Sequence, residues 1–392
     1  MRWHWALALL ASASPGCQRC ASKAAPTDAG HTPASFDVGM PAKVPYPSLA
    51  PLPSPQGYGL PAGCRFEGDV KRATLPNPGA RFVAPRSALE SLALSHDDRA
   101  GFVEFATATV GEAPWGQLDA PPLMDRSSRG WVLAWVDSTA AGLRRALLWR
   151  GGGRAESLAE GDELELADLA CEGDTCVVLS SLVRGAAAPG GSWHVGKAEA
   201  GASTWKRIDL ELGGDEAWRP LAIAGVRPDG TGLGALASDR HVALFAVGPD
   251  RAEKQHVFDS PHGAYDATLA VDPIIVVPGE RTDRPCGSEE FPIFVLSADG
   301  RRHELRTPAP PESVIVRPLS KGAIVAWVAP VSCQHLDRRV VYATLLGPSG
   351  VPASSPMAVA DATGFALATR GDDLSLWLIS GQSLSWVRAR CS

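Results

Sequence analysis

The residues best placed to do chemistry are eight cysteines, Cys17, Cys20, Cys64, Cys171, Cys176, Cys286, Cys333 and Cys391. Thiols in that number suit an oxidising compartment, where they pair into disulfides. A zinc site would need a second pair at two-residue spacing, and only Cys17-Gln-Arg-Cys20 has it, so no metal is expected. A redox role for that pair would need a folded setting that lowers a thiol pKa. There is no Gly-x-Ser-x-Gly elbow, no phosphate loop, no His-Glu-x-x-His and no paired-Asp calcium loop, so no cofactor is expected either. The doublets Asp97-Asp98 and Asp372-Asp373 read as solvated carboxylates in turns. His194, His241, His256, His262, His303 and His335 are scattered without ligand spacing, and most read as surface or sheet-edge residues. Tyrosine could serve as a nucleophile if a carboxylate stood beside it. Tyr46 and Tyr58 fall in a Pro-rich stretch and Tyr342 in an apolar strand, which leaves Tyr265, beside Asp266, as the single catalytic candidate.

Recognition has a stronger candidate. The run Pro278-Gly-Glu-Arg-Thr-Asp-Arg-Pro-Cys-Gly-Ser-Glu-Glu290 is the most charge-dense insertion in the folded part. Arg281, Asp283, Arg284, Glu289 and Glu290, with His335 in the next polar loop, would form its binding surface. Loops on a rigid scaffold are where recognition concentrates, and a pinned loop loses less entropy on binding. The alternative is a solvated loop stapled only for stability. Charge gives no support to nucleic acid as partner: Lys+Arg (37) and Asp+Glu (43) are mixed along the chain and the net charge is −6. The expected ligand is a protein or a glycan, and the expected state a monomer.

The N-terminus reads as an export signal over residues 1–16, with Arg2 ahead of the apolar run Trp5–Ala13, which is too short to span a bilayer. Ala11-Ser-Ala13 fits ordinary secretion. Ser14-Pro-Gly-Cys17 resembles a bacterial lipobox, in which Cys17 would carry the lipid, although an aliphatic residue is expected where Ser14 stands. Residues 17–63 are rich in Pro, Ala and Ser and lack apolar periodicity, so they are expected to be a disordered tether. A coil of that length spans roughly 35–40 Å. Several acyl chains anchor durably where one does not. The two destinations are therefore a lipoprotein of the outer membrane, periplasm or cell surface, or free secretion.

These groups have to be positioned by a scaffold, and a repeat indicates which. Gly130-Trp-Val-Leu-Ala-Trp135-Val, with Arg144–Trp149 as its partner, matches Gly322-Ala-Ile-Val-Ala-Trp327-Val with Arg338–Leu346. The two tryptophans stand 192 positions apart, four steps of 48. Intermediate steps fall beside Cys176–Val183, Gly232–Ala237 and Ile274–Ile275-Val-Val277. The outer steps fall beside Leu374–Ile379 and at Ala88–Leu94, which has Gly101–Val110 as hairpin partner. With 40 Gly and 33 Pro, short strands and turns are favoured over helices.

A period of 40–50 residues made of short strands resembles the β-propeller superfamily over about residues 64–392. The segment His194-Val-Gly-Lys197-Ala-Glu199-Ala-Gly201-Ala-Ser203-Thr-Trp205 is similar to a degraded Asp-box of sialidase-type propellers. Glu199 stands for the Asp, Lys197 for the Ser, and one extra residue precedes Trp205. WD-repeat signatures are missing. The resemblance implies an all-β fold of about seven blades, each of four antiparallel strands, with six or eight as neighbours of that count and a β-sandwich as the competing class. Its inner strands would be apolar on both sides. The N- and C-terminal strands would close the ring.

The blade scheme selects among fifteen pairings of the six folded cysteines. Cys171–Cys176 would bridge a hairpin, Cys286–Cys333 would join neighbouring blades, and Cys64–Cys391 would close the ring. The function this implies is that of a non-enzymatic binding or scaffold module in a bacterial cell envelope. A glycan-acting, sialidase-like hydrolase and an envelope protein-assembly factor are the alternatives.

Overall fold

A computed structural model describes residues 58–74, 81–83, 86, 89–96, 99–104, 109–112, 122–138, 142–150, 155–181, 190–212, 216–279 and 291–392. Apart from one short 3-10 turn, Ala202–Thr204, the regular elements among them are β-strands. They make six four-stranded antiparallel sheets and one sheet of five strands.

Sheet I is Arg81–Val83, Ser91–His96, Arg99–Glu104 and Thr109–Glu112. Sheet II is Leu123–Ser127, Gly130–Ser138, Arg144–Trp149 and Glu156–Gly161. Sheet III is Leu166–Glu172, Thr175–Ser181, Gly190–Lys197 and Lys206–Glu211. Sheet IV is Arg219–Val226, Gly232–Ala237, His241–Val247 and Ala252–Asp259. Sheet V is Asp266–Leu269, Pro273–Pro278, Phe291–Ser297 and Arg302–Thr307, and sheet VI is Ser313–Leu319, Gly322–Ser332, His335–Leu346 and Met357–Asp361. Sheet VII is Gly364–Arg370, Asp373–Ser380 and Ser383–Cys391. Its outer position is filled by Cys64–Phe66 and Lys71–Thr74, lying in line along the last strand, with Cys64 opposite Cys391 and Thr74 opposite Ser383.

The second strand of each sheet holds the repeat found in the sequence. Trp135 and Trp327 occupy second strands of sheets II and VI, and the intermediate steps fall on second strands of III, IV and V. These strands are near-continuously apolar because neighbours cover both of their faces. Val132–Val136 and Ala323–Ala329 are buried throughout. The glycine that opens the motif has a backbone reason. Gly322 sits at φ 154°, and a Cβ there would meet the Leu346 carbonyl at 2.0 Å.

Apolar clusters join sheets that follow one another: II with III, III with IV, IV with V, V with VI, and VI with VII. Trp193 and Trp327 are fully buried in this way. Sheet VII meets the start of sheet I where Trp386 Nε1 and Ser375 Oγ donate to the Leu89 carbonyl and the Thr369 amide donates to the Arg86 carbonyl. The second strand of I adjoins the first strand of II.

Four expectations are corrected. The apolar second strands are not innermost: first strands of successive sheets adjoin one another, and they are the strands that carry buried charge. The structured chain begins by Tyr58 rather than at Cys64, since Tyr58 and Leu60 pack on sheets VI and VII and Gly59 donates to the Val359 carbonyl. His194 is a core residue, placed opposite Val178 where the Ser180 hydroxyl gives its ring a partner. Asp372 and Asp373 are bonded rather than merely solvated: Asp373 pairs with Arg390 at 2.7 Å and Asp372 accepts the Ser320 amide at 3.1 Å. Residues 1–57 and the doublet Asp97-Asp98 lie outside the described residues.

Candidate functional site

A first strand that is the last in its sheet has amides on its outer edge with no partner strand, and a buried amide without an acceptor is costly. Three aspartates solve this in one way. Asp125 Oδ1 accepts the next amide of its own chain, Arg126, and its Oδ2 accepts the Cys171 amide of sheet III at 2.7 Å. Asp168 repeats the arrangement, taking Leu169 with Oδ1 and Ile223 of sheet IV with Oδ2 at 2.8 Å. Asp266 takes Ala267 and then Val316 of sheet VI, the latter at 2.9 Å. Each carboxylate clips its sheet to the inner edge of a neighbour.

Two arginines join the last two clips. Arg317 Nη1 donates to Asp266 Oδ2 and to the Val316 carbonyl, both at 2.8 Å. Arg86 stands between the first and second strands of sheet I, yet its Nη2 lies 3.1 Å from Asp168 of sheet III and its Nη1 donates to the Ile223 carbonyl of sheet IV. Its own carbonyl meanwhile holds Thr369 of sheet VII. One residue therefore ties together four sheets. Burial pushes the Asp168 carboxyl above the usual carboxylate range, against the opposing pull of Arg86 and Arg317 and with help from Asp266.

This quartet of Arg86, Asp168, Asp266 and Arg317, with side chains 12–16% exposed, is a largely buried charge cluster that sequence reading missed. A lone Asp in a short strand looks like the polar half of an alternating pattern. The missed signal was an Asp repeated near the start of the unit, two to three residues into the first strand or at its head.

A Ser–carboxylate–His contact also occurs, at the start of the third strand of sheet IV. Ser238 Oγ donates to Glu216 at 2.5 Å, and His241 Nδ1 lies 2.8 Å from the same carboxylate. The Ser238 hydroxyl also accepts the His241 amide, so it caps a hairpin turn. The imidazole does not touch the hydroxyl, and the order needed for nucleophile activation is absent at this place.

The residues singled out from sequence are scattered. Tyr265 packs against the apolar cluster of sheets V and VI. The carboxylate beside it, Asp266, is already spent on Ala267, Val316 and Arg317. Tyr342 stacks on Trp327 at 5.8 Å, and burial first, then Asp361, pushes its phenol up to about 12. His335 is exposed at the start of its strand, and Arg281, Asp283, Arg284, Glu289 and Glu290 lie outside the described residues. Cys64 is disulfide-bonded to Cys391 and Cys171 to Cys176. Cys333 is also disulfide-bonded, while Cys286, Cys17 and Cys20 are outside the described residues. The Asp-box-like segment forms the turn between the third and fourth strands of sheet III. There Trp205 lies against Gly196, leaving no room for a Cβ. Among the described residues no group of three or more His, Cys, Asp or Glu could hold a metal, and no helix is long and apolar enough to cross a membrane.

No family model matches the chain, and no curated protein matches it at a significant level. Solved structures similar to it include a puromycin hydrolase, at 16% identity and a TM-score of 0.48, covering 79% of this chain and 53% of that one. The tricorn protease is similar at 12% and 0.39, covering 74% and 31%. A Trypanosoma rangeli sialidase in complex with sialic acid is similar at 11% and 0.38, covering 81% and 60%. The chain thus spans less than two thirds of the length of these three.

Proposed function

We propose that the chain is an exported, lipid-anchored β-propeller of seven blades, its ring closed by its first and last strands, serving as a binding or scaffold module in a bacterial cell envelope. One observation carries this reading. Cys64, near the end of the tether-like stretch, is bonded to Cys391 on the final strand. A covalent joint between chain ends suits an oxidising compartment and a ring that would otherwise open at that place. Contacts between each sheet and the next, together with those from Leu89 and Arg86 to sheet VII, support a closed order of seven. The binding surface is assigned to the charged stretch carrying Arg281, Asp283, Arg284, Glu289 and Glu290, together with His335, which opens the strand that follows the disulfide-bonded Cys333.

Labelling cells with palmitate tests the anchor. The natural chain should take up label and sediment with membranes, and Cys17→Ala should lose both. Unchanged fractionation of Cys17→Ala would leave a freely secreted protein. A glycan-acting enzyme is the less supported reading, because the carboxylate next to Tyr265 is already engaged.

A further inference from the structure

Sheets II to VI each end in one continuous outer strand of five to eight residues. The outer position of sheet VII is filled instead by two short pieces, Cys64–Phe66 with three residues and Lys71–Thr74 with four. They bury little: Arg65, Phe66, Lys71, Arg72 and Thr74 are exposed, and Cys64 and Val70 are only partly buried. Besides the disulfide, they are held by pairing along Ser383–Cys391 and by an Arg390–Glu67 ion pair at 3.5 Å. The other three strands of sheet VII have their own ties to the start of sheet I. Trp386 and Ser375 donate to the Leu89 carbonyl, the Thr369 amide donates to the Arg86 carbonyl, and Arg388 pairs with Glu90. None of these ties uses the N-terminal pieces.

The disulfides also differ in access. Cys171 and Cys176 lie in the apolar cluster between sheets II and III, 9% and 0% exposed. Cys391 is buried in the same way, at 2%, but its partner Cys64 sits on the outermost piece of its sheet and is only partly buried. Thiol–disulfide exchange needs an attacking thiolate to reach a sulfur, so its rate follows access. Cys64 is the point of entry.

We infer that the Cys64–Cys391 bond is a redox latch: reduction by a dithiol releases residues 58–74 from sheet VII and leaves the other strands assembled. One thiolate of the reductant attacks Cys64 Sγ, the S–S bond breaks, and Cys391 leaves as a thiolate that takes up a proton. The second thiol of the reductant then displaces Cys64 from the mixed disulfide and closes the reductant's own disulfide. Two electrons and two protons pass from the dithiol to the cysteine pair. Release bares the outer edge of Ser383–Cys391, whose free N–H and C=O groups then face water. On the anchored reading proposed above, on which this one consequence rests, the freed residues also lengthen the tether.

The whole purified chain, held in detergent and treated with dithiothreitol, tests the latch. Samples are alkylated at intervals and mapped, and hydrogen exchange is followed in parallel. Alkylation of Cys64 and Cys391 should run at least about tenfold ahead of that of Cys171 and Cys176. Amides of residues 64–74 and 383–391 should then lose protection, while those of Gly232–Ala237 and His241–Val247 in sheet IV keep theirs. Equal reduction rates for the two bonds would overturn the latch. So would protection at 64–74 that survives reduction, or that is lost together with sheet IV. No membrane enters this experiment, so its failure is distinct from a failure of the anchor, which palmitate labelling reads.

Discussion

The seam between sheets V and VI and the completion of sheet VII rest on different chemistry. At V–VI the chain runs directly from one sheet into the next, and a buried carboxylate, Asp266, clips the inner edge of sheet VI while neutralising Arg317. Sheet VII combines strands far apart in the sequence, so its outer strands reach its last strand only by pairing across it. It is completed by Cys64–Phe66 and Lys71–Thr74 and locked by the Cys64–Cys391 disulfide. Against sheet I it has neutral hydrogen bonds to the Leu89 and Arg86 carbonyls and an Arg388–Glu90 ion pair at 3.7 Å. The carboxylate clips one sheet to the next, whereas the disulfide joins two strands within one sheet that lie 327 positions apart.

The largest expected effect breaks that covalent joint. The Cys64–Cys391 bond spans 327 positions, which in the chain-entropy model is worth about 6 kcal/mol, whereas the five-position Cys171–Cys176 bridge is worth about 2 kcal/mol. Cys391→Ser should lower the denaturant midpoint far more than Cys176→Ser does. Equal losses would mean that the terminal strands hold without the bond, and the contrast would disappear.

Next comes the carboxylate clip. Asp266→Ala leaves Arg317 buried without its partner and the Val316 amide without its acceptor, a loss of about 3–5 kcal/mol. Hydrogen exchange should speed up at Val316 and its strand before it does so at Gly364–Arg370. Opening at sheet VII first would show that the clip is not what secures V–VI.

How much of this was legible in the sequence differs between the same two regions. The second strands could be read because burial on both faces leaves an unbroken apolar run, and Gly130 and Gly322 mark where each begins. That ruler placed Cys64 and Cys391 on adjacent strands. The inner edge was illegible because its signal is one polar residue per unit, and its partners lie at separations that no local pattern records: Asp125 to Cys171, Asp168 to Ile223, Arg86 to both sheets III and IV. His194 was misread for a related reason. A histidine in an alternating strand looks exposed unless the facing sheet is known. The tether-like stretch up to Gly63 was misjudged at its end, where Tyr58 and Leu60 find apolar partners only once sheets VI and VII exist.

His194 yields the smallest of the expected effects, and it separates sheet III from both regions because it responds to pH rather than to a broken bond. Its Nε2 lies 3.0 Å from Ser180 Oγ, whose own proton goes to the Ser181 carbonyl, so the ring nitrogen is the donor. Burial first, then Arg207, pushes its pKa down from 6.5 to about 4. A base whose folded pKa is depressed binds its proton more readily when unfolded. It therefore costs nothing above pH 6.5, destabilises the fold progressively as pH falls below that value, and reaches its full effect below about 4. The shift corresponds to about 3 kcal/mol at that limit. Denaturant titrations between pH 7 and pH 4 should show that loss in the natural chain and a flatter profile in His194→Gln. An unchanged profile in the variant would place the acid sensitivity elsewhere.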